Sequence, residues 1–197
     1  MRRSLKGEKE LEALKAQEDN GELDLYYYDE SGFSLVPYVP YVPYVPYVPY
    51  CWQKKGETVE LPSAKSKTLQ MLGFLRGDNT FRFYYADGSV DSVLMVAVFE
   101  DFISTLDANK KSVIVIDNAP SHVGAHFEAN KIRWEKHHVE ICNLSTYLPE
   151  LNIIEMLWRF VKYVWLPFNA YFSVQTLEEK LTEVLLNGGE KFTISCA

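Results

Sequence analysis

The chain has 197 residues, with 20 Lys and Arg against 27 Asp and Glu, which gives a net charge of −7 at neutral pH. This length suits one domain with a sizeable core, and an apolar fraction of 47% excludes a disordered chain. No apolar run approaches the ~18 residues of a membrane span, and the N-terminus lacks the apolar stretch of a signal peptide. The acidic balance argues against a dedicated nucleic-acid binder, because neutralising phosphates requires Lys and Arg.

The first 21 residues are predicted to form an exposed helix that acts as a connector. Residues 4–19 are charged and rich in Ala, Leu, Glu and Lys, and Asn20-Gly21 ends the helix. The apolar stripe of this helix is thin and consists of Leu11, Leu14 and Ala16. We therefore divide the chain into a connector helix, residues 1–21, and a domain, residues 22–197.

Five perfect VPY triplets occupy residues 36–50. Proline at every third position excludes a helix and a central strand and favours polyproline II. Such a rod could be a ligand for an aromatic-lined groove, or a tandem expansion that lengthens a surface loop. We favour an insertion, because the tract lacks the flanking basic residue that such ligands usually need.

The other segments alternate between strand-like and helix-like patterns. Strands are predicted over residues 23–29, 57–61, 68–76, 80–87, 112–117 and 139–144. Helices are predicted over residues 93–106, 125–137, 151–166 and 176–186. This order indicates an α/β fold, a mixed sheet covered by helices.

Two aspartates occupy matching places in this pattern. Asp29 and Asp117 each close a largely apolar strand and each precede a predicted turn. Ligands of α/β sheets bind beyond the carboxyl ends of the strands, so both side chains would reach one crevice. Close carboxylates repel unless a cation lies between them, and such oxygen ligands suit Mg²⁺ or Mn²⁺. The alternative is that each aspartate merely caps its turn.

A third carboxylate, Glu155, lies on the predicted helix 151–166. At 100° per residue, Glu155, Arg159 and Lys162 share one face. The opposite, apolar face is predicted to consist of Met156, Leu157, Phe160, Val161 and Val164. Two interpretations remain open: an exposed Glu–Arg pair on a helix surface, or a metal-binding glutamate beside two cations that grip phosphates.

Three strings, YYYDESGFSL, VIVIDNAPSH and YLPELNIIEMLWRFVKY, resemble the signature blocks of DDE-type transposases. They are similar to the mariner-like superfamily of DDE endonucleases, in its bacterial insertion-sequence branch, and the resemblance covers essentially the whole chain. It implies a ribonuclease-H-like fold, with Asp29, Asp117 and Glu155 as catalytic and metal-binding residues. It also implies two divalent ions, Mg²⁺ or Mn²⁺, and DNA as the substrate.

Several polar residues near these carboxylates are candidates for supporting roles. The family pattern places a histidine at His122, which could support the metal or a phosphate, or make a local turn hydrogen bond. Asn118 could bond the neighbouring strand or orient Asp117, and Asn152 is predicted to cap the helix that carries Glu155. The candidates for supporting or DNA-contacting residues are Asn118, His122, Asn152, Arg159 and Lys162.

The function that the resemblance implies is metal-dependent cleavage and transfer of DNA strands by in-line attack on phosphodiesters. The implied partners are the DNA of the element ends and target, a second copy of the chain, and a separately encoded helix-turn-helix region. We expect no membrane partner and a location in the bacterial cytoplasm, at the nucleoid. The alternatives are a cellular nuclease of the same fold and a catalytically dead transposase remnant.

Overall fold

The computed structural model describes residues 2–35, 53–57, 68–86, 88–117, 125–144 and 151–195. The VPY tract (36–50), Asn118 and His122, and all but the first residue of the predicted strand 57–61, lie outside these ranges.

The described strands form one five-stranded mixed sheet. They are β1 (Leu23–Phe33), β2 (Leu69–Arg76), β3 (Phe81–Ala86), β4 (Lys111–Ile116) and β5 (Val139–Asn143). Their order in the sheet is β3-β2-β1-β4-β5, with antiparallel pairing among the first three and parallel pairing from β1 to β4 and from β4 to β5. The predicted α/β mixed sheet is confirmed.

Helices cover both faces of this sheet. They are α1 (Arg2–Asp19), α2 (Ser92–Ile103), α3 (Ala125–Glu135), α4 (Ile153–Phe160) and α5 (Val174–Leu186). Because strand side chains alternate between faces, Leu25 and Val113 join a core with α1, α4 and α5, while Tyr28 and Ile114 join a second core with α2 and α3. The unbroken apolar run of β4 is buried on both faces.

Strand β1 is longer than predicted. The prediction that it closes at Asp29, before a turn at Ser31-Gly32, is wrong, because β1 continues to Phe33. Those residues keep antiparallel partners on β2, with Ser31 opposite Met71. Pairing with a long neighbour therefore overrides the turn propensity of Ser-Gly.

The helix that carries Glu155 is shorter than predicted, and the predicted apolar face is only partly confirmed, because Leu157 and Val161 are buried. It ends at Phe160 and gives way to a π-helical turn, Val161–Trp165, so a spacing of 100° per residue fails beyond it. Two residues of the predicted apolar face are exposed, Met156 at 36% and Val164 at 64%. The buried side chains of α4 are Ile153, Ile154, Leu157 and Trp158.

The N-terminal helix α1 packs on the sheet. Leu11 is 3% exposed within the core that contains α4 and α5. Near the end of the helix, the Glu18 carboxylate accepts hydrogen bonds from the Leu25 backbone (3.2 Å) and the Arg76 guanidinium (3.3 Å). The division of the chain at residue 21 stays a prediction, but α1 contributes to the core of the domain.

Among the described residues, no helix combines the length and the apolar character that crossing a bilayer requires.

We predict that Leu11→Ala lowers the free energy of unfolding by about 2–5 kcal/mol, because it leaves a cavity beneath α1. Denaturant unfolding measures the change. Leu186→Ala, at a leucine that is 70% exposed, is the control and should stay within about 0.5 kcal/mol of the wild type. Equal, small effects of both substitutions would show that α1 is not docked.

Candidate active site

The register of the sheet and side-chain alternation direct Asp29 and Asp117 toward the same region of the sheet. The parallel register of β1 and β4 runs from Leu23 opposite Lys111 to Tyr27 opposite Val115. Extended by two residues beyond this pairing, the register would bring Asp29 opposite Asp117. Side-chain alternation directs both aspartates to the face that α4 covers.

Glu155 lies near Asp29 because α4 packs very close to the sheet. Gly73 of β2 is paired with Asp29, and a Cβ atom at Gly73 would lie 2.8 Å from ring atoms of both Phe81 and Trp158 and 3.0 Å from Cδ1 of Ile154. Only a residue without a side chain permits this approach. The first turns of α4 therefore rest on bare backbone beside Asp29.

The electrostatics of Asp29 show that the three carboxylates interact. Burial raises the pKa of Asp29 well above its usual range, and the negative charges of Glu30, Asp117 and Glu155 raise it further. Glu30 also accepts a 3.0 Å hydrogen bond from the Tyr28 hydroxyl, and burial together with Glu30 raises the pKa of Tyr28. Sequence reasoning missed Glu30, whose only signal was its position next to Asp29.

Lys162 places a positive charge near Asp29. Its ammonium lies 5.0 Å from the centre of the Phe33 ring, at the end of β1. Burial lowers the pKa of Lys162, and the charge of Asp29 opposes that shift. The π-helical turn carries Lys162, and Arg159 is exposed on α4.

Asn152 occupies the N-cap position of α4 but does not cap it. The predicted capping role is wrong, because no side-chain cap hydrogen bond forms. The Asn152 amide is buried and donates instead to the backbone carbonyl of Tyr28, at 3.0 Å. The side chain ties the helix to the strand.

The carboxylates suit a divalent ion by their chemistry. In the described part of the chain, no three Asp, Glu, His or Cys side chains are grouped so that they could hold a metal ion by themselves. Mg²⁺ at phosphoryl-transfer sites needs only one or two carboxylates, because water and substrate phosphates complete its shell. A cation would also relieve the repulsion that raises the pKa of Asp29. The residues present therefore fit such an ion.

The model of the DDE superfamily endonucleases matches residues 24–178. The chain belongs to this family. The matched span contains Asp29, Asp117 and Glu155 and leaves out α1. No curated protein matches the chain significantly.

Solved structures of DDE enzymes are similar in fold. The Mos1 mariner paired end complex with Mn is 15% identical, with a TM-score of 0.62, over 96% of this chain and 55% of that one. The Mos1 mariner transposase catalytic domain is 13% identical, with a TM-score of 0.57, over 94% and 79%. The HTLV-2 integrase catalytic core with magnesium is 12% identical, with a TM-score of 0.52, over 88% and 90%.

These likenesses confirm the ribonuclease-H-like fold. The chain spans about half the length of the Mos1 chain in the paired end complex. The assignment of Asp29, Asp117 and Glu155 as the catalytic and metal-binding residues of this DDE domain stays a prediction.

We predict that Gly73→Ala lowers the free energy of unfolding by about 1–3 kcal/mol, because the added methyl group overlaps the Phe81 and Trp158 rings. Denaturant unfolding measures the loss. Gly77→Ala is the matched control, because a Cβ there meets only the Glu18 carboxylate at 3.8 Å. A Gly73→Ala protein as stable as the wild type would contradict the close approach of α4.

We predict that Asp29→Asn stabilises the metal-free protein at pH 7. The pKa of Asp29 is higher in the folded state than its ordinary value, so the stability of the wild type falls as pH rises through the unfolded and then the folded pKa. Asparagine stays neutral and avoids this loss. The gain should vanish below about pH 4, where the aspartate is protonated in both states.

Thermal unfolding in chelator at pH 7 and pH 3.5 measures this effect, since each kcal/mol shifts the midpoint of such a domain by about 2–4 °C. Asp101→Asn, at an exposed carboxylate paired with Arg82, is the control and should show no gain at pH 7. A lower midpoint for Asp29→Asn than for the wild type at pH 7 would contradict the raised pKa.

Proposed function

We propose that the chain is the catalytic domain of a DDE transposase, which cuts and joins DNA strands by in-line attack on phosphodiesters. One observation carries the proposal. The negative charges of Asp117, which follows β4, and of Glu155, on α4, both raise the pKa of Asp29 within β1. These influences of two acidic groups distant in the sequence support a shared site on one face of a ribonuclease-H-like sheet. Membership of the DDE endonucleases supports the same conclusion.

Asp29, Asp117 and Glu155 would hold two Mg²⁺ or Mn²⁺ ions. When bound, such ions supply activation of the attacking water or 3′-hydroxyl and stabilisation of the leaving oxygen. Structures similar in fold are described as complexes with Mn and with Mg. The protein's own contribution is a strand paired with β2 for Asp29 and a helix, seated on Gly73, for Glu155.

Lys162 and Arg159 would bind the phosphates of the substrate. Both follow Glu155 along the same helical segment, and Lys162 already interacts with the charge of Asp29. A partly buried ammonium gains from an approaching phosphate, because burial has removed much of its hydration. Asn118 and His122, which follow Asp117, are proposed to support the same site.

The proposed partners are the DNA of the element ends and the target, a second copy of the chain, and a separately encoded helix-turn-helix portion. The Mos1 structures similar in fold are described as a strand transfer complex and paired-end complexes. A DNA-acting domain of this kind would work in the bacterial cytoplasm, at the nucleoid.

We predict that the purified chain nicks supercoiled plasmid in Mn²⁺, and that Asp29→Asn, Asp117→Asn and Glu155→Gln each reduce nicking at least about 100-fold. Loss of a ligand should exceed the 10- to 100-fold cost of losing an outer partner of a metal ligand. Chelation of the metal should abolish the activity of the wild type. Gel quantification of open-circular plasmid against time measures the rates.

Glu140→Gln is the matched control. Glu140 is an exposed carboxylate on β5, paired with Lys111 at 2.7 Å, and its neutralisation should leave the rate unchanged. Equal nicking by the wild type and all three site variants would identify a contaminating nuclease and overturn the proposal. Absence of nicking by the folded wild type would favour an inactive remnant.

A further inference from the structure

Asn152 lies between the strand that carries Asp29 and the helix that carries Glu155. Asn152 is 1% exposed, and its Nδ2 group donates to the backbone carbonyl of Tyr28, at 3.0 Å. Tyr28 immediately precedes Asp29 and immediately follows Tyr27, the last residue of β1 that pairs with β4. The Asn152 amide therefore bonds to β1 one residue beyond the last residue of β1 that pairs with β4.

A second hydrogen bond continues from Asn152 into the helix. The backbone N–H of Glu155 donates to the backbone carbonyl of Asn152, at 3.0 Å. Two consecutive hydrogen bonds therefore connect the carbonyl of Tyr28 with the backbone of Glu155. They join the residue before one proposed metal ligand to another proposed ligand.

Helix capping does not explain the presence of this amide. Asn152 does not cap α4, and its Oδ1 atom is buried without a hydrogen-bond partner among the described residues. An unpartnered buried acceptor is unfavourable, and an apolar side chain of the same branched shape would avoid it. What asparagine adds is one N–H donor, directed at Tyr28.

We propose that Asn152 is a positioning residue, which sets the distance between Glu155 and Asp29 by fixing the first turn of α4 to β1. The inference rests on the proposed function, because it assumes that both carboxylates hold a divalent ion. Removal of the donor would leave the helix packed on Gly73 but free to shift along the sheet. The separation of the two carboxylates would then vary.

The test compares donor-free and donor-keeping variants by Mn²⁺ affinity. Asn152→Leu and Asn152→Ala lack the donor, and either one suffices if the other does not fold. Asn152→Gln keeps the donor on a side chain one methylene longer. Mn²⁺ binding is followed by the electron paramagnetic resonance signal of free Mn²⁺, and folding is checked by the thermal midpoint without metal.

The donor-free variants should bind Mn²⁺ about 10- to 100-fold more weakly than the wild type, as for other partners that orient metal ligands. Asn152→Gln should bind more tightly than they do. A role in packing alone predicts the opposite order, because leucine reproduces the branched shape of asparagine better than glutamine does. Asn130→Leu is the control, since it removes an amide that donates to a backbone carbonyl, that of His126 at 2.8 Å, on α3 rather than on α4, and it should keep wild-type affinity.

The outcomes separate this inference from the proposed function. If Asp29→Asn weakens Mn²⁺ binding but the folded donor-free variants bind like the wild type, the role of Asn152 is overturned and the proposed function stands. If Asp29→Asn leaves Mn²⁺ binding unchanged, the metal site itself is wrong and both proposals fall.

Discussion

The desolvation of the half-buried Asp29 carboxyl, together with the negative charges near it, is the constraint on which the site depends. Asp29 is held within β1, where burial and the charges of Glu30, Asp117 and Glu155 all disfavour its ionised form. A fold optimised for stability alone would place neutral side chains at these positions. In the proposed function, a cation between these carboxylates would offset their repulsion, so the raised pKa of Asp29 and an affinity for metal would have the same origin.

The surrounding structure must hold these groups together against their repulsion. Apolar packing does most of this, because Ile154 and Trp158 of α4 seat on the bare backbone of Gly73, opposite Asp29 in the β1–β2 ladder. Asn152 adds a directional bond from the helix to Tyr28. Beyond α4 the helix changes to a π-helical turn, a feature often found at functional sites, and this turn carries Lys162 towards Asp29.

Periodicity and local motifs were sufficient to predict the sheet and its helices. The buried apolar run of β4 predicted that strand, and the parallel register of β1 and β4 directs Asp29 and Asp117 toward the same end of the sheet. Predictions failed where a partner distant in the sequence decides the outcome. Pairing with β2 overrides the turn propensity of Ser31. The close approach of α4 to Gly73 determines which of its side chains are buried. The Asn152 amide donates to the backbone carbonyl of Tyr28 on β1, a bond that the rules for helix capping do not predict.

The most direct measurement is the titration of the Asp29 carboxyl carbon by ¹³C NMR in metal-free protein, in the wild type and in Glu155→Gln. The account predicts a pKa well above the ordinary range in the wild type and a lower pKa once Glu155 is neutral. Added Mg²⁺ should bring Asp29 into its ionised form at neutral pH. An ordinary pKa that responds neither to Glu155→Gln nor to Mg²⁺ would contradict the claim that these carboxylates share one site.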